Sequence, residues 1–194
     1  HETDTTNSND EELLEVTNGK WLNQFLAHMQ TPQTIVQKEP EPTFQATLRP
    51  YQKTGFNWLH FMEKNHLGAL LADDMGLGKT IQILALLDSF KKKQYKSLLV
   101  IPASLIENWK KEATRFAPNL VLQVLHGKET AFDLNKADLF ITTYAMVRRI
   151  DGLLETRFDL LIIDEAQAIK NPGTKQTKTL KQIQAKTRIA MTGT

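Results

Sequence analysis

The sequence predicts an α/β fold, a parallel sheet with helices on both faces, preceded by a short helical N-terminal extension. Three observations carry that expectation. From Phe44 onward short apolar runs alternate with helical patterns, a glycine loop stands between one such run and one such helix, and polar motifs close several of the other runs. In such an architecture ligands bind beyond the carboxyl ends of the strands.

The elements follow in chain order. Residues up to Asp10 are Thr, Asn, Ser and acid with nothing to bury, so disorder is expected there. Trp21, Leu22, Phe25, Leu26 and Met29 recur at helical spacing, which predicts one amphipathic helix over Lys20–Met29, stopped by Pro32. Thr31–Thr47 carries Pro32, Pro40 and Pro42 and reads as an extended connector. Residues 1–43 are thus an extension and residues 44–194 the sheet domain, with the boundary near Phe44. Strands are expected at Gly68–Ala72, Ser97–Ile101, Leu120–Leu125, Leu139–Thr142, Leu160–Ile163 and Arg188–Met191.

Composition bounds the answer further. A chain of 194 residues that is 41% hydrophobic buries one sizeable core. The absence of cysteine excludes disulfides and thiolate metal sites and suits a reducing compartment, with the cytoplasm as default. Apolar runs such as Leu98–Ile101 fall far short of the roughly 20 residues a membrane helix needs, so no membrane partner is expected. The polar, acidic start is unlike a secretory signal. His28, His60, His66 and His126 are scattered without acids at ligand intervals, and no histidine metal site is expected. Without an initiator Met, and stopping at Thr194 after a strand-like run, the sequence reads as part of something longer.

The net charge of +2 is too small to imply a nucleic-acid partner, but its distribution is uneven. Six acids open the chain with no Lys or Arg among them. From Ala166 onward there is no acid, while Lys170, Lys175, Lys178, Lys181, Lys186 and Arg188 accumulate. Two readings stay open for that run: a basic face following a phosphate backbone, or a solvated helix. Lys91, Lys92, Lys93 and Lys96 read as a solvated helix end.

The glycine loop is DDMGLGKT, Asp73–Thr80, between the strand ending at Ala72 and a helix with Ile81, Leu84, Ala85 and Leu87. Strand, loop and helix form the context of a phosphate-binding P-loop. The backbone of Asp74, Met75, Gly76, Leu77 and Gly78 would close around phosphates at the partly positive helix start. Lys79 would reach the β and γ phosphates, and the Thr80 hydroxyl would ligate Mg2+. Asp73 replaces the first glycine of the general pattern. This loop alone leaves kinases, GTPases and transporters open.

FDLLIIDEAQ, Phe158–Gln167, narrows the choice. A buried strand ends in two acids, of which Asp164 would hold Mg2+ opposite Thr80 and Glu165 would orient the attacking water. Combined with the P-loop, they imply Mg-ATP hydrolysis, with Lys79, Asp164 and Glu165 as the catalytic set.

LRPYQ at Leu48–Gln52, LADDMGLGKT, VIPASLIENW at Val100–Trp109, ITTY at Ile141–Tyr144, DEAQAIKN at Asp164–Asn171 and MTGT at Met191–Thr194 stand in the order of superfamily 2 helicase-like ATPases. Their wording resembles the SWI/SNF-type family, especially its bacterial branch, over roughly three-quarters of the chain. The resemblance implies an N-terminal RecA-like lobe that binds ATP and Mg2+, with Gln52 reading the adenine edge. It implies contacts to the backbone of double-stranded DNA from Ser104, Asn108 and Lys110, and from Thr142, Thr143 and Tyr144, with Arg148 and Arg149 close behind. Small hydroxyls and amides suit a motor that must pass every sequence. Trp109 is expected in the core.

The same resemblance implies a second RecA-like lobe, supplied outside this sequence, whose arginines stabilise the transferring phosphoryl group. The isolated fragment would then be nearly inactive. Gln167, in place of the commoner His, and Thr192, Gly193 and Thr194 would link hydrolysis to movement of that lobe. The implied activity is translocation along duplex DNA without strand separation, in a cytoplasmic, nucleoid-associated protein. Two rivals remain. An RNA helicase of superfamily 2 is opposed by AIKN and the LRPYQ wording. A nucleotide-gated nucleic-acid-binding module is opposed by intact Lys79, Thr80, Asp164 and Glu165.

Overall fold

The computed structural model describes residues 35–72, 78–164 and 175–192. The chain divides into two compact units, His1–Gln37 and Lys38–Thr194. The expected disordered start and the helix at Lys20–Met29 lie outside the described residues. Within the second unit the proline-containing connector has no regular structure, yet side chains bind it to the sheet domain. The Lys38 N–H donates to Asn57 Oδ1 at 2.6 Å, Thr43 Oγ1 donates to Asp88 Oδ2 at 2.8 Å, and Lys92 pairs with Glu41 at 2.6 Å. These tethers explain why the division falls before Lys38 and not near Phe44.

Six parallel strands form one sheet: β1 (Ala69–Ala72), β2 (Ser97–Ile101), β3 (Leu122–Leu125), β4 (Leu139–Thr143), β5 (Arg157–Ile163) and β6 (Gln184–Thr192), in the order β1-β6-β5-β2-β4-β3. Their alternation with helices α1 (Pro50–Lys64), α2 (Lys79–Phe90), α3 (Ile106–Phe116) and α4 (Lys175–Gln182) is the pattern expected from sequence. Every residue of β2 and β4 is buried, as in parallel strands covered on both sides. One face joins Leu98 and Val100 to Phe140, Phe158, Leu161 and, beyond the sheet, Leu180 of α4. Residues pointing the other way, Leu99, Ile101, Leu160 and Ile162, are equally inaccessible. Among the described residues no helix is long and apolar enough to cross a membrane.

Strand limits differ from expectation at the margins. Leu120 is excluded from β3 because its N–H donates to Ala117 O, closing the turn after α3. β5 and β6 start earlier than their apolar runs, since Arg157 pairs with Gln184 and Phe158 with Ala185. Backbone pairing does not require apolar side chains.

Pro50 opens α1, where a missing N–H is harmless, and Gln52 reaches back to accept the Arg49 N–H at 2.9 Å. Gly55 lies where α1 meets α2. A helix-interior glycine ordinarily costs about 1 kcal/mol relative to alanine. Here an added Cβ would stand 1.9 Å from Oε1 of Gln82, which is completely buried and has nowhere to swing. Gly55→Ala is therefore expected to destabilise by about 1–3 kcal/mol, read as a lowered Tm. An unchanged or raised Tm would mean that Gln82 turns aside.

His60 sits edge-on to Phe56 and Phe90, with Nε2 3.0 Å from Ser89 Oγ. Ser89 donates its own proton to Leu86 O, so His60 Nε2 is the donor in that pair. Burial, and after it the charges of Lys38 and Lys93, lowers the His60 pKa from 6.5 to about 4. The folded chain therefore binds this proton later than the unfolded chain. Its stability contribution is whole above pH 6.5 and is lost as pH falls toward 4, by about 3 kcal/mol in total. Urea unfolding at the two ends of that window should show the loss in the wild type and a smaller one in His60→Phe.

Candidate functional site

Because all strands run in parallel, their carboxyl ends share one edge of the sheet, and most of the motif residues gather there. β1 ends at Ala72 beside Thr192 of β6. The loop residues Asp74, Met75, Gly76 and Leu77 lie outside the described residues, and the chain re-enters at Gly78. This glycine has φ +85°, and an added Cβ would also lie 2.3 Å from Gln52 Nε2. Both conformation and space thus demand glycine where α2 begins.

Lys79, the first residue of α2, donates from Nζ to the Thr192 backbone oxygen at 2.9 Å. Asp164 follows β5 and is buried. Its N–H donates to Val100 O at 3.0 Å, Oδ2 accepts from Trp109 Nε1 at 3.0 Å, and its backbone oxygen accepts from the Tyr144 hydroxyl at 2.5 Å. A side chain and a backbone group of one residue are thus gripped from two other segments.

Lys79, Thr80 and Asp164 line one cavity of about 430 Å3, with Gln52 and Gly78 on its wall. That volume lies in the range of small-molecule pockets. A hydroxyl, a carboxylate and an ammonium in one cavity suit a polyphosphate with a hard cation: Mg2+ prefers oxygen donors and takes one or two from protein, the rest from phosphate and water. Glu165, Gln167, Gly193 and Thr194 lie outside the described residues.

α3 contributes the rest of the wall through Asn108, Trp109 and Glu112. Burial raises the Glu112 carboxyl above the ordinary carboxylate range, while hydrogen bonds from Asn108 and Thr80 and the charge of Arg115 act in the opposite direction. The sequence reading left Glu112 unassigned. Asn108 and Glu112 stand four apart, on one helical face, which is the clue that could have found it. Trp109 is almost fully buried, as expected, but it also binds Asp164.

The six residues expected at nucleic acid separate into groups. Ser104, Asn108 and Lys110 are exposed, with Lys110 paired to Glu107 at 2.9 Å. Thr142 is a correction: it is completely buried, and its hydroxyl donates to Leu125 O at 2.9 Å, joining β4 to β3. Its side chain therefore cannot reach a phosphate. Thr143 is also buried, as the last residue of β4 paired with Ile101. Tyr144 is half-buried and holds Asp164, whereas Arg148 and Arg149 are exposed.

The family profile of the SNF2-related domain matches residues 51–194. The putative ATP-dependent helicase/translocase YwqA of Bacillus subtilis is 34% identical over 185 residues, covering 90% of this chain and 20% of that protein. The ISWI chromatin-remodeling complex ATPase ISW2 of Saccharomyces cerevisiae is 35% identical over 172 residues, covering 82% of this chain and 15% of that protein. The chain thus spans a fifth or less of these two relatives. The solved Sulfolobus solfataricus SWI2/SNF2 ATPase core in complex with dsDNA superposes with a TM-score of 0.78 at 44% identity, covering 82% of this chain and 34% of that one. With a family match running through the glycine loop and the strand that carries Asp164, the chain belongs to the SNF2-related domain family.

Proposed function

We propose that this chain is the nucleotide-binding lobe of an ATPase that moves along double-stranded DNA without separating its strands. The observation that carries the reading is the single cavity shared by Lys79, Thr80 and Asp164. Relatives named as ATP-dependent helicases, and a similar core solved with dsDNA, support it.

Lys79 exchanges the Thr192 oxygen for the β and γ phosphates, and the loop from Asp74 to Gly78 closes on them through its N–H groups. Thr80 and Asp164 hold Mg2+, which when bound neutralises charge on the phosphate oxygens. Gln52 bounds the cavity where the base would lie, and Glu165 orients the attacking water. Ser104, Asn108 and Lys110 contact the DNA backbone from the exposed side of the α3 region. Arginines from a second RecA-like lobe complete the site, and Gln167 with Thr192, Gly193 and Thr194 links it to that lobe. The setting is cytoplasmic, close to the nucleoid.

Steady-state hydrolysis by the intact protein tests this reading when measured without nucleic acid and with duplex DNA, single-stranded DNA or RNA. Duplex DNA is expected to stimulate most. Stimulation by RNA alone would remove the duplex assignment. The 194-residue chain by itself should turn over about 10³–10⁵ times more slowly, because it lacks those arginines.

A further inference from the structure

α3 carries residues of two kinds within two turns. Asn108 and Lys110 are exposed on the side assigned above to DNA. Trp109 and Glu112 line the cavity and bind the two oxygen groups assigned to Mg2+. Trp109 Nε1 donates to Asp164 Oδ2 at 3.0 Å, and the Glu112 carboxylate accepts from the Thr80 hydroxyl. Asn108 bonds that same carboxylate, so one exposed amide joins the outer face of the helix to the inner one.

We propose that α3 couples DNA contact to the metal ligands, with Trp109 and Glu112 as positioning residues for Asp164 and Thr80. This inference rests on the function proposed above. Its physical basis is the direction of lone pairs. A threonine hydroxyl has one proton and two lone pairs, so giving the proton to Glu112 turns a lone pair toward the cavity. Likewise the Trp109 N–H engages one carboxylate oxygen of Asp164 and fixes how the other is presented. Such outer partners ordinarily set ligand orientation and metal affinity.

Both partners stand on one short helix, so a shift of α3 on DNA contact moves both together. From the other side, the Tyr144 hydroxyl anchors the Asp164 backbone at 2.5 Å, so the carboxylate turns about a held main chain. Trp109 and Asp164 are 55 residues apart in sequence, which makes the link a product of the fold.

The test measures, in the intact protein, the Mg2+ concentration that half-saturates binding of a fluorescent ADP analogue, with and without short duplex DNA. The ratio of the two is the coupling factor, and factors of about 5–150 are typical of linked sites. Trp109→Phe removes the donor but keeps an aromatic ring, and Glu112→Ala removes the acceptor. Each is expected to lower the factor at least fivefold or to near one, while Glu112→Gln, which still accepts from Thr80, recovers it. A purely structural role would change Mg2+ dependence equally with and without DNA and leave the ratio alone. A wild-type factor above five that both variants retain overturns the inference and leaves the proposed function standing. A wild-type factor of one, together with hydrolysis indifferent to DNA, overturns both.

Discussion

Lys79→Ala is expected to weaken ATP binding about a hundredfold or more, equivalent to about 3 kcal/mol. A charged donor on phosphate oxygens makes one of the stronger hydrogen bonds available to a protein, and alanine leaves nothing in its place. The fold should tolerate the change, because the bond lost from the empty site runs to the Thr192 backbone oxygen at the cavity rim. Calorimetric titration of the intact protein with Mg-ATP, with a Tm measured without nucleotide as control, reads both quantities. Affinity within threefold of wild type would mean that the lysine stays on Thr192 and does not engage phosphate.

Asp164→Asn should be the more damaging change for turnover, lowering it about a thousandfold, or about 4 kcal/mol of barrier. An asparagine oxygen still accepts from Trp109 Nε1, and the backbone bonds from Tyr144 and to Val100 do not depend on the side chain. The substitution therefore removes charge and little else. Steady-state hydrolysis across a Mg2+ titration should show a depressed maximum and a raised metal requirement, while binding of metal-free ATP is retained. Normal turnover would move the metal to another oxygen.

Much of this was legible in the sequence because the physics is local. β2 and β4 are buried on both faces, so their apolar runs mark them to within a residue. The glycine at position 78, the lysine after it and the acid after β5 announce themselves by residue type and by adjoining strand and helix. What escaped depends on the fold. The early halves of β5 and β6 pair through backbone and carry polar side chains such as Arg157 and Gln184. Thr142 looked like a phosphate ligand because hydroxyls suit phosphates, yet a neighbouring strand placed Leu125 O within reach of it. Trp109 read as an apolar filler because its N–H partner lies on another strand. Glu112 stayed hidden in a helix of alternating charges until the cavity gave it a neighbour in Thr80.

β6 stands between β1 and β5 and touches both. With neighbouring strands about 4.8 Å apart, this interposed ribbon sets the glycine-loop strand about 10 Å from the acid-bearing one. It works as a gauge block: the gap it defines has the breadth of a bridged polyphosphate, too wide for a lone carboxylate to close onto the lysine. Were the two strands adjacent, Lys79 and Asp164 would neutralise one another across the empty cleft and shut it.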